Sequence, residues 1–440
     1  MATDPHRTGT RFPGIAIGTA LIGLGMLLLA GLQYLMPFSH RYIGSIDLPG
    51  MHEYAHWLAR LPDPTSIVAF QWAFRALVLL VWLGYVVLLY AGFRHGISRP
   101  MTILVVAASL AVMLAVVFPP SLSHDLYAYI AYGRMAPLYG LNPYTHSLEE
   151  LSKLGDAAAL HYVTPASSVY GPVWTLITSG LAVLLNGLSV SAQLVAFKLV
   201  EAAALVGAAV AARSIARVWD PQHADLALIA VALNPVLLLE GPCNGHNDVL
   251  MVALMLAGIA LVLRGSWQAG YLVLGLSVGV KYVSAAIVPW VVIEQIRSMS
   301  PSAAVRRATA AIALTLLPLL LAFVPYGAGL RAASGVGAVY STRSSGDVVA
   351  IAGMAAGALI YLVATVWIWR GKGDRLAPAW TVWSTAAALW MMPGTMLPWY
   401  MTWPTGLTFT RWDRRQVVLS ATCSALGLYW MLHYVVLRGG

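Results

Sequence analysis

Charge is what this chain has least of. Lys, Arg, Asp and Glu make up 10% of its 440 residues, and apolar types make up 59%. Soluble domains carry about 25% charged residues, so a water-soluble globule of this size is excluded and a polytopic membrane protein is expected. Cysteine is nearly absent: Cys243 and Cys423 lie far apart, and two such residues imply no disulfide framework. No glycine-rich phosphate loop follows a strand, and no nucleotide-sugar domain is apparent. Heptads, low-complexity segments and short-period repeats are also missing. The net charge of +9 comes from scattered basic residues. It therefore reads as membrane topology, with no nucleic-acid partner.

Long apolar runs are abundant. A membrane span needs about 20 apolar residues, fewer where protein surrounds its ends. Candidate spans are 13–36, 69–93, 101–118, 191–212, 224–240, 249–263, 268–281, 283–296, 308–325, 348–369, 377–393, 397–410 and 416–437, an all-α bundle of about 13 helices. The run 13–36 is too long for a signal-peptide core and lacks a clean small-residue cleavage site, so it counts as a span. The order suggests two N-terminal helices and a loop over 1–100, a core over 101–325, and a loop with C-terminal helices over 326–440. With the N-terminus inside, 16 of the 26 Lys and Arg residues fall on the inner side, as the positive-inside rule requires. The loops 37–68, 119–190 and 326–347 are then external. Residues 172–188 are apolar enough to pass for a span, but a crossing there would reverse every later basic cluster. A helix lying in the outer interface is the expectation.

The outer side collects polar residues in four groups. The first is His124-Asp125 with Tyr127, Tyr129 and Tyr132, Arg134 nearby, and then Gly140-Leu-Asn142-Pro-Tyr144. The second is Tyr170-Gly171-Pro172. The third is Asn234-Pro235 with Glu240 and Gly245-His246-Asn247-Asp248. The fourth is Pro398-Trp399-Tyr400 with Trp403. Lys281 marks the tip of a short hairpin, and Arg331 and Arg343 lie in the last long loop. An acid at the end of a membrane segment is costly to hold there and usually has a task. A carboxylate can take the proton from an attacking hydroxyl, cations can stabilise a phosphate leaving group, and aromatic rings suit sugar faces. These are the parts needed to move a sugar from a lipid phosphate to an acceptor hydroxyl. A lipid-linked donor removes the need for a nucleotide-sugar domain.

In these residues and their order, from Asp125-Leu-Tyr-Ala-Tyr129 and Gly140-Leu-Asn-Pro-Tyr144 through Tyr170-Gly-Pro-Val-Trp174, Asn234-Pro235, Gly245-His-Asn-Asp248 and Lys281-Tyr282 to Pro398-Trp-Tyr400, the chain resembles the GT-C superfamily of membrane glycosyltransferases. The nearest kin are bacterial polyprenyl-phosphate-mannose-dependent mannosyltransferases. The resemblance runs from about residue 101 to the C-terminus, and the first two spans look like an addition. It implies a general base at Asp125. It also implies a Tyr-Gly-Pro segment that opens an external interfacial helix, and transfer of a hexose, most readily mannose, from a polyprenyl phosphate with inversion. Many members carry two acids where this chain has His124-Asp125, and no metal or other cofactor is expected. Substrate-binding residues would be His124, Tyr129, Arg134, Asn142, Tyr170, His246, Asn247, Asp248, Lys281, Arg331, Arg343, Trp399 and Tyr400. Partners would be the lipid donor, a glycan or glycolipid acceptor, and plasma-membrane lipids, with the active site on the external side.

Each residue also has a plainer reading. Asp125 after Ser121 and Ser123 can serve as a helix cap, and His246-Asn247-Asp248 can end one span and cap the next. Lys281 can snorkel to headgroups. The tryptophans and Tyr400 can form an aromatic belt, and Arg134 can meet lipid phosphate. A transporter or flippase of a lipid-linked or polar solute would instead place ionisable residues in mid-span and break helices in paired halves, whereas here charge gathers at one face. His52-Glu53-Tyr54-Ala55-His56 matches the H-E-x-x-H pattern of zinc proteases. The loop of about 30 residues offers no third ligand or folded cleft, so a surface amphipathic helix explains it better.

Overall fold

The computed structural model describes residues 13–34, 65–119, 121, 123–327, 348–371, 375–390 and 397–438, and among them there are helices and no strand. Helices α1 (Pro13–Tyr34), α2 (Thr65–His95) and α3 (Arg99–Val116) form an N-terminal group, with α1 packed along α2 and touching α3. Ser98 opens α3 by accepting a hydrogen bond from the Met101 amide, which supplies one of the partners a helix start lacks. Two helices of the 119–190 loop follow, α4 (Asp125–Tyr139) and α5 (Leu148–Lys153). The second is held by a reciprocal capping box between Ser147 and Glu150.

Helix α6 (Pro172–Leu184) begins at Gly171-Pro172 because proline at the first helical position has its φ preset and gives up an amide that would be unpaired anyway. Its 13 residues span about 20 Å, short of the roughly 30 Å hydrocarbon core. It packs on α4 from one side and on α11 (Trp267–Val280) and α13 (Pro301–Phe323) from the other. The 30-residue α7 (Val190–Trp219) is the central post, in contact with α8 (Ala224–Ala232) and α10 (Asp248–Leu263). Helix α10 pairs with α11, and α12 (Ile287–Ile296) joins α13 to the C-terminal helices α14 (Val348–Arg370) and α15 (Leu376–Trp390).

Two expected spans are not continuous. The run 224–240 is α8, then a break at Leu233-Asn234, then α9 (Pro235–Leu238) and a wide π turn over Leu239–Cys243, bent by 40°. Asn234 makes the break by turning its side-chain oxygen onto the Val236 and Leu237 amides ahead of Pro235. The run 397–410 is a 3₁₀ turn, Pro398–Met401, followed by α16 (Thr402–Thr408), seven residues long. It packs against α17 (Arg414–Arg438). Among the described residues six helices are long and apolar enough to cross a membrane, or seven if the bent pair counts as one span, and five further apolar helices are shorter.

Two glycines place the loops that matter. Gly171 donates its amide to the Val280 carbonyl, and a Cβ there would sit 2.1 Å from the Gly279 oxygen. Only hydrogen lets the Tyr170 segment approach the end of α11 that closely. Gly245 has φ +76°, a region costly for a side chain, and its bare Cα faces Leu126. We expect Gly171→Ala to lower unfolding stability by about 1–3 kcal/mol through overpacking, because the α11 end must move outward to admit the methyl group. Thermal unfolding in detergent checks this; a wild-type value would show that the segment does not need the close approach.

Candidate active site

Asp125 is the first residue of α4, where the helix dipole favours a carboxylate. Its side chain is 25% exposed, in contrast to the other site acids. Ser123 Oγ receives the Asp125 amide, so the serine serves the local turn and the carboxylate is left to face outward from the helix start. Tyr129 lies one turn on, on the same face. Its hydroxyl donates to Asn247 Oδ1 at 3.4 Å, and its ring meets Tyr170 and Trp174 edge-on at 4.9 and 5.0 Å. Burial holds the Tyr129, Tyr132 and Tyr170 phenols above their ordinary range, with the Asp125 charge adding to the shift. Tyr127, also buried, is pushed up to about 12. These phenols remain protonated at neutral pH and act as hydrogen-bond donors.

The loop between the π turn and α10 brings the third residue group to this face. His246 is 1% exposed. Its Nε2 lies 3.0 Å from Ser123 Oγ and 3.9 Å from Asp125 Oδ2. Its Nδ1 lies 2.9 Å from Glu240 Oε2, a contact too oblique for an aligned hydrogen bond and better described as an ion pair. Trp399 stacks on the imidazole at 4.1 Å. Asp248 has no solvent exposure, and Lys281 Nζ meets both of its oxygens at 2.7 Å while Trp403 Nε1 donates to Oδ1 at 2.5 Å. The ammonium also sits 5.1 Å from the Tyr400 ring centre. The Asn247 Nδ2 and Trp174 Nε1 donors on either side of Tyr129 have no partner among the described residues.

The fold thus gathers Asp125, Tyr129, Tyr170, His246, Asn247, Asp248, Lys281, Trp399 and Tyr400 from five distant stretches of chain. His124 stands beside Asp125 at the surface, its ring 6.4 Å from that of Tyr127. Arg134 and Asn142 are engaged elsewhere. The Arg134 guanidinium donates to Asp156 at 3.0 Å, joined there by the Tyr139 hydroxyl, and that carboxylate also caps the Ala158 and Ala159 amides. Asn142 donates to the Tyr326 carbonyl at 2.6 Å and folds the 119–190 segment onto the end of α13. Arg331, Arg343 and the His52–His56 segment lie outside the described residues. Among the described residues no group of three His, Cys, Asp or Glu is arranged to hold a metal ion.

Sequence reasoning passed over three ionisable residues. Glu240 was noticed only as part of a motif. Lys198 and Glu201 sit inside α7 with no exposure, contrary to the expectation that charge gathers only at one face. Lys198 Nζ donates to the Pro119 carbonyl at 2.6 Å, and Glu201 Oε2 accepts the Leu250 amide at 3.0 Å. One tethers the segment leading to Asp125, the other the first turn of the helix carrying Asp248. A Lys and a Glu three residues apart within an apolar run was the available signal.

Removing Lys281 alone would strand a buried carboxylate. Breaking such a pair costs about 3–5 kcal/mol, so Lys281→Met should be strongly destabilised. The double variant Lys281→Met/Asp248→Asn should recover most of the loss, measured by thermal unfolding. Additive losses would show the two groups to be independent.

The family model described as "Alpha-(1->6)-mannopyranosyltransferase, N-terminal domain" matches residues 41–297, which takes in α2 through α12. Alpha-(1->6)-mannopyranosyltransferase A of Mycobacterium tuberculosis is 27% identical over 369 residues, covering 76% of this chain and 69% of that protein. Alpha-(1->6)-mannopyranosyltransferase A of Corynebacterium glutamicum is 30% identical over 176 residues, 39% of this chain and 35% of that protein. No solved structure matches the chain. With a match over more than half its length, and with apolar helices fit to cross a membrane, the chain belongs to the alpha-(1->6)-mannopyranosyltransferase family of GT-C-type membrane glycosyltransferases.

Proposed function

We propose that the protein transfers mannose from a polyprenyl-phosphate donor to a hydroxyl of a glycan or glycolipid acceptor on the outer face of the plasma membrane, with Asp125 as general base. The observation that carries this reading is the contrast among the site acids. Glu201, Glu240 and Asp248 are buried and matched to fixed partners, whereas Asp125 retains solvent exposure at a helix start among aromatic rings. It is the acid free to meet a substrate.

In the reaction the acceptor O–H proton moves to the Asp125 carboxylate as the oxygen attacks the anomeric carbon. The bond from that carbon to the phosphate oxygen breaks, and its electron pair leaves with the polyprenyl phosphate. A single displacement inverts the anomeric centre, so an α product of the kind named for the relatives requires a β-linked donor. Tyr129, Tyr170 and Asn247 offer donors for sugar hydroxyls. Trp399 and Tyr400 wall the site, and Lys281, with Arg331 and Arg343 of the 326–347 loop, would meet the phosphate, where negative charge grows.

Asp125→Asn keeps shape and hydrogen-bonding capacity but is not basic. Losing general-base help costs about 10²–10⁴-fold in rate. The variant should bind mannosyl polyprenyl phosphate almost as well as wild type while transfer collapses, as read by donor binding and product formation across a panel of polyprenyl-phosphate sugars. Transfer at the wild-type rate would remove Asp125 from catalysis.

The placement of the site can be checked separately. Both native cysteines are buried, so background labelling is low. Asn186→Cys, between α6 and α7, should react with a membrane-impermeant maleimide from outside the cell, and Ser266→Cys, between α10 and α11, only from inside. The reverse pattern would turn the site to the cytoplasm.

A further inference from the structure

Transfer as written leaves two buried ionisable groups without a task. Glu240 and His246 are each 1% exposed, and taking charge out of water is expensive unless it is matched. The π turn over Leu239–Cys243 brings them together. It projects Glu240 beneath the loop, where the His246 amide donates to the Glu240 carbonyl at 2.8 Å and Asn244 Nδ2 donates to the carboxylate at 3.3 Å. The imidazole then lies between two acids, with Nδ1 at 2.9 Å from Glu240 and Nε2 at 3.9 Å from Asp125. Trp399 covers its face, and Ser123 Oγ holds the Nε2 edge.

We propose that Glu240 and His246 form a buried dyad that keeps a positive charge beside Asp125, so that Asp125 stays ionised among the aromatic rings and ready to take the acceptor proton. The inference rests on Asp125 being the base. Glu240 is a positioning residue acting through His246. The charged groups facing the imidazole are Glu240 from the π turn, Asp125 from α4 and Asp248 from α10, all carboxylates, and the cation near Asp248, Lys281, is already bound to it. Burial presses the imidazole toward neutrality, but the three carboxylates, Glu240 foremost, outweigh it and the net direction is up from the ordinary value. A cation beside a carboxylate favours the charged form of the acid.

The test uses the full-length protein in nanodiscs with mannosyl polyprenyl phosphate. In wild type, the pH profile of kcat/KM should rise along an acid limb set by Asp125. Glu240→Gln should move that limb to higher pH, and His246→Gln should move it at least as far, whatever either does to the plateau. The double variant should shift no further than His246→Gln, because Glu240 acts only through the imidazole. Nitrogen-15 NMR should find His246 protonated at pH 7 in wild type and neutral in Glu240→Gln. A neutral His246 in wild type overturns the inference, even if both variants fold poorly. So does a rate that falls equally at all pH values with the limb unmoved. In either case an inactive Asp125→Asn shows that the base assignment stands and only the dyad has failed, whereas an active Asp125→Asn removes both.

Discussion

A carboxylate with no water around it must be matched, and Asp248 sets the terms for this site. Lys281 and Trp403 converge on it, which ties the start of α10 to the end of α11 and to the first turn of α16. Glu201 secures the same turn of α10 from α7 through the Leu250 amide. In a low dielectric these contacts are strong when complete and costly when broken. The scaffold around the site is therefore rigid for electrostatic reasons as well as for packing.

Onto that frame the Tyr170 and His246 segments are laid by close backbone approach. Gly171 seats the Tyr170 segment on Gly279 and Val280, directly before Lys281. Gly245 takes a left-handed turn against Leu126, which sets His246 beside Asp125. The acids then differ by environment alone. Three are sealed and partnered, while Asp125 faces outward. The same residue type is locked into structure or left open to solvent according to how much water reaches it.

Several features were legible in the chain because they depend on neighbours in sequence. A helix beginning at Asp125 follows from the serines and breaker residues before it, and a helix beginning at Pro172 follows from Tyr-Gly-Pro. The helical class follows from the scarcity of charge. The interruptions within 224–240 and 397–410 were not legible, because hydropathy records apolar character and not continuity. Asn234 with Pro235 interrupts the first, and the second is mostly a 3₁₀ turn and a seven-residue helix enclosed by protein. Arg134 and Asn142 looked like substrate ligands from position alone, yet Asp156 and the Tyr326 carbonyl occupy them.

The sequence by itself determined the membrane class, the residue types available for chemistry and the order in which they occur, since hydrophobicity, turn residues and motif spacing are local properties. Tertiary structure alone decided which acid is exposed, which cations are already neutralised, and that Glu240, Lys198 and Glu201 support the site from behind. Those outcomes depend on pairings between residues as much as 155 positions apart, such as Trp403 with Asp248. A charge buried in protein takes its character from whatever partner the fold brings to it, and spacing along the chain does not specify that partner.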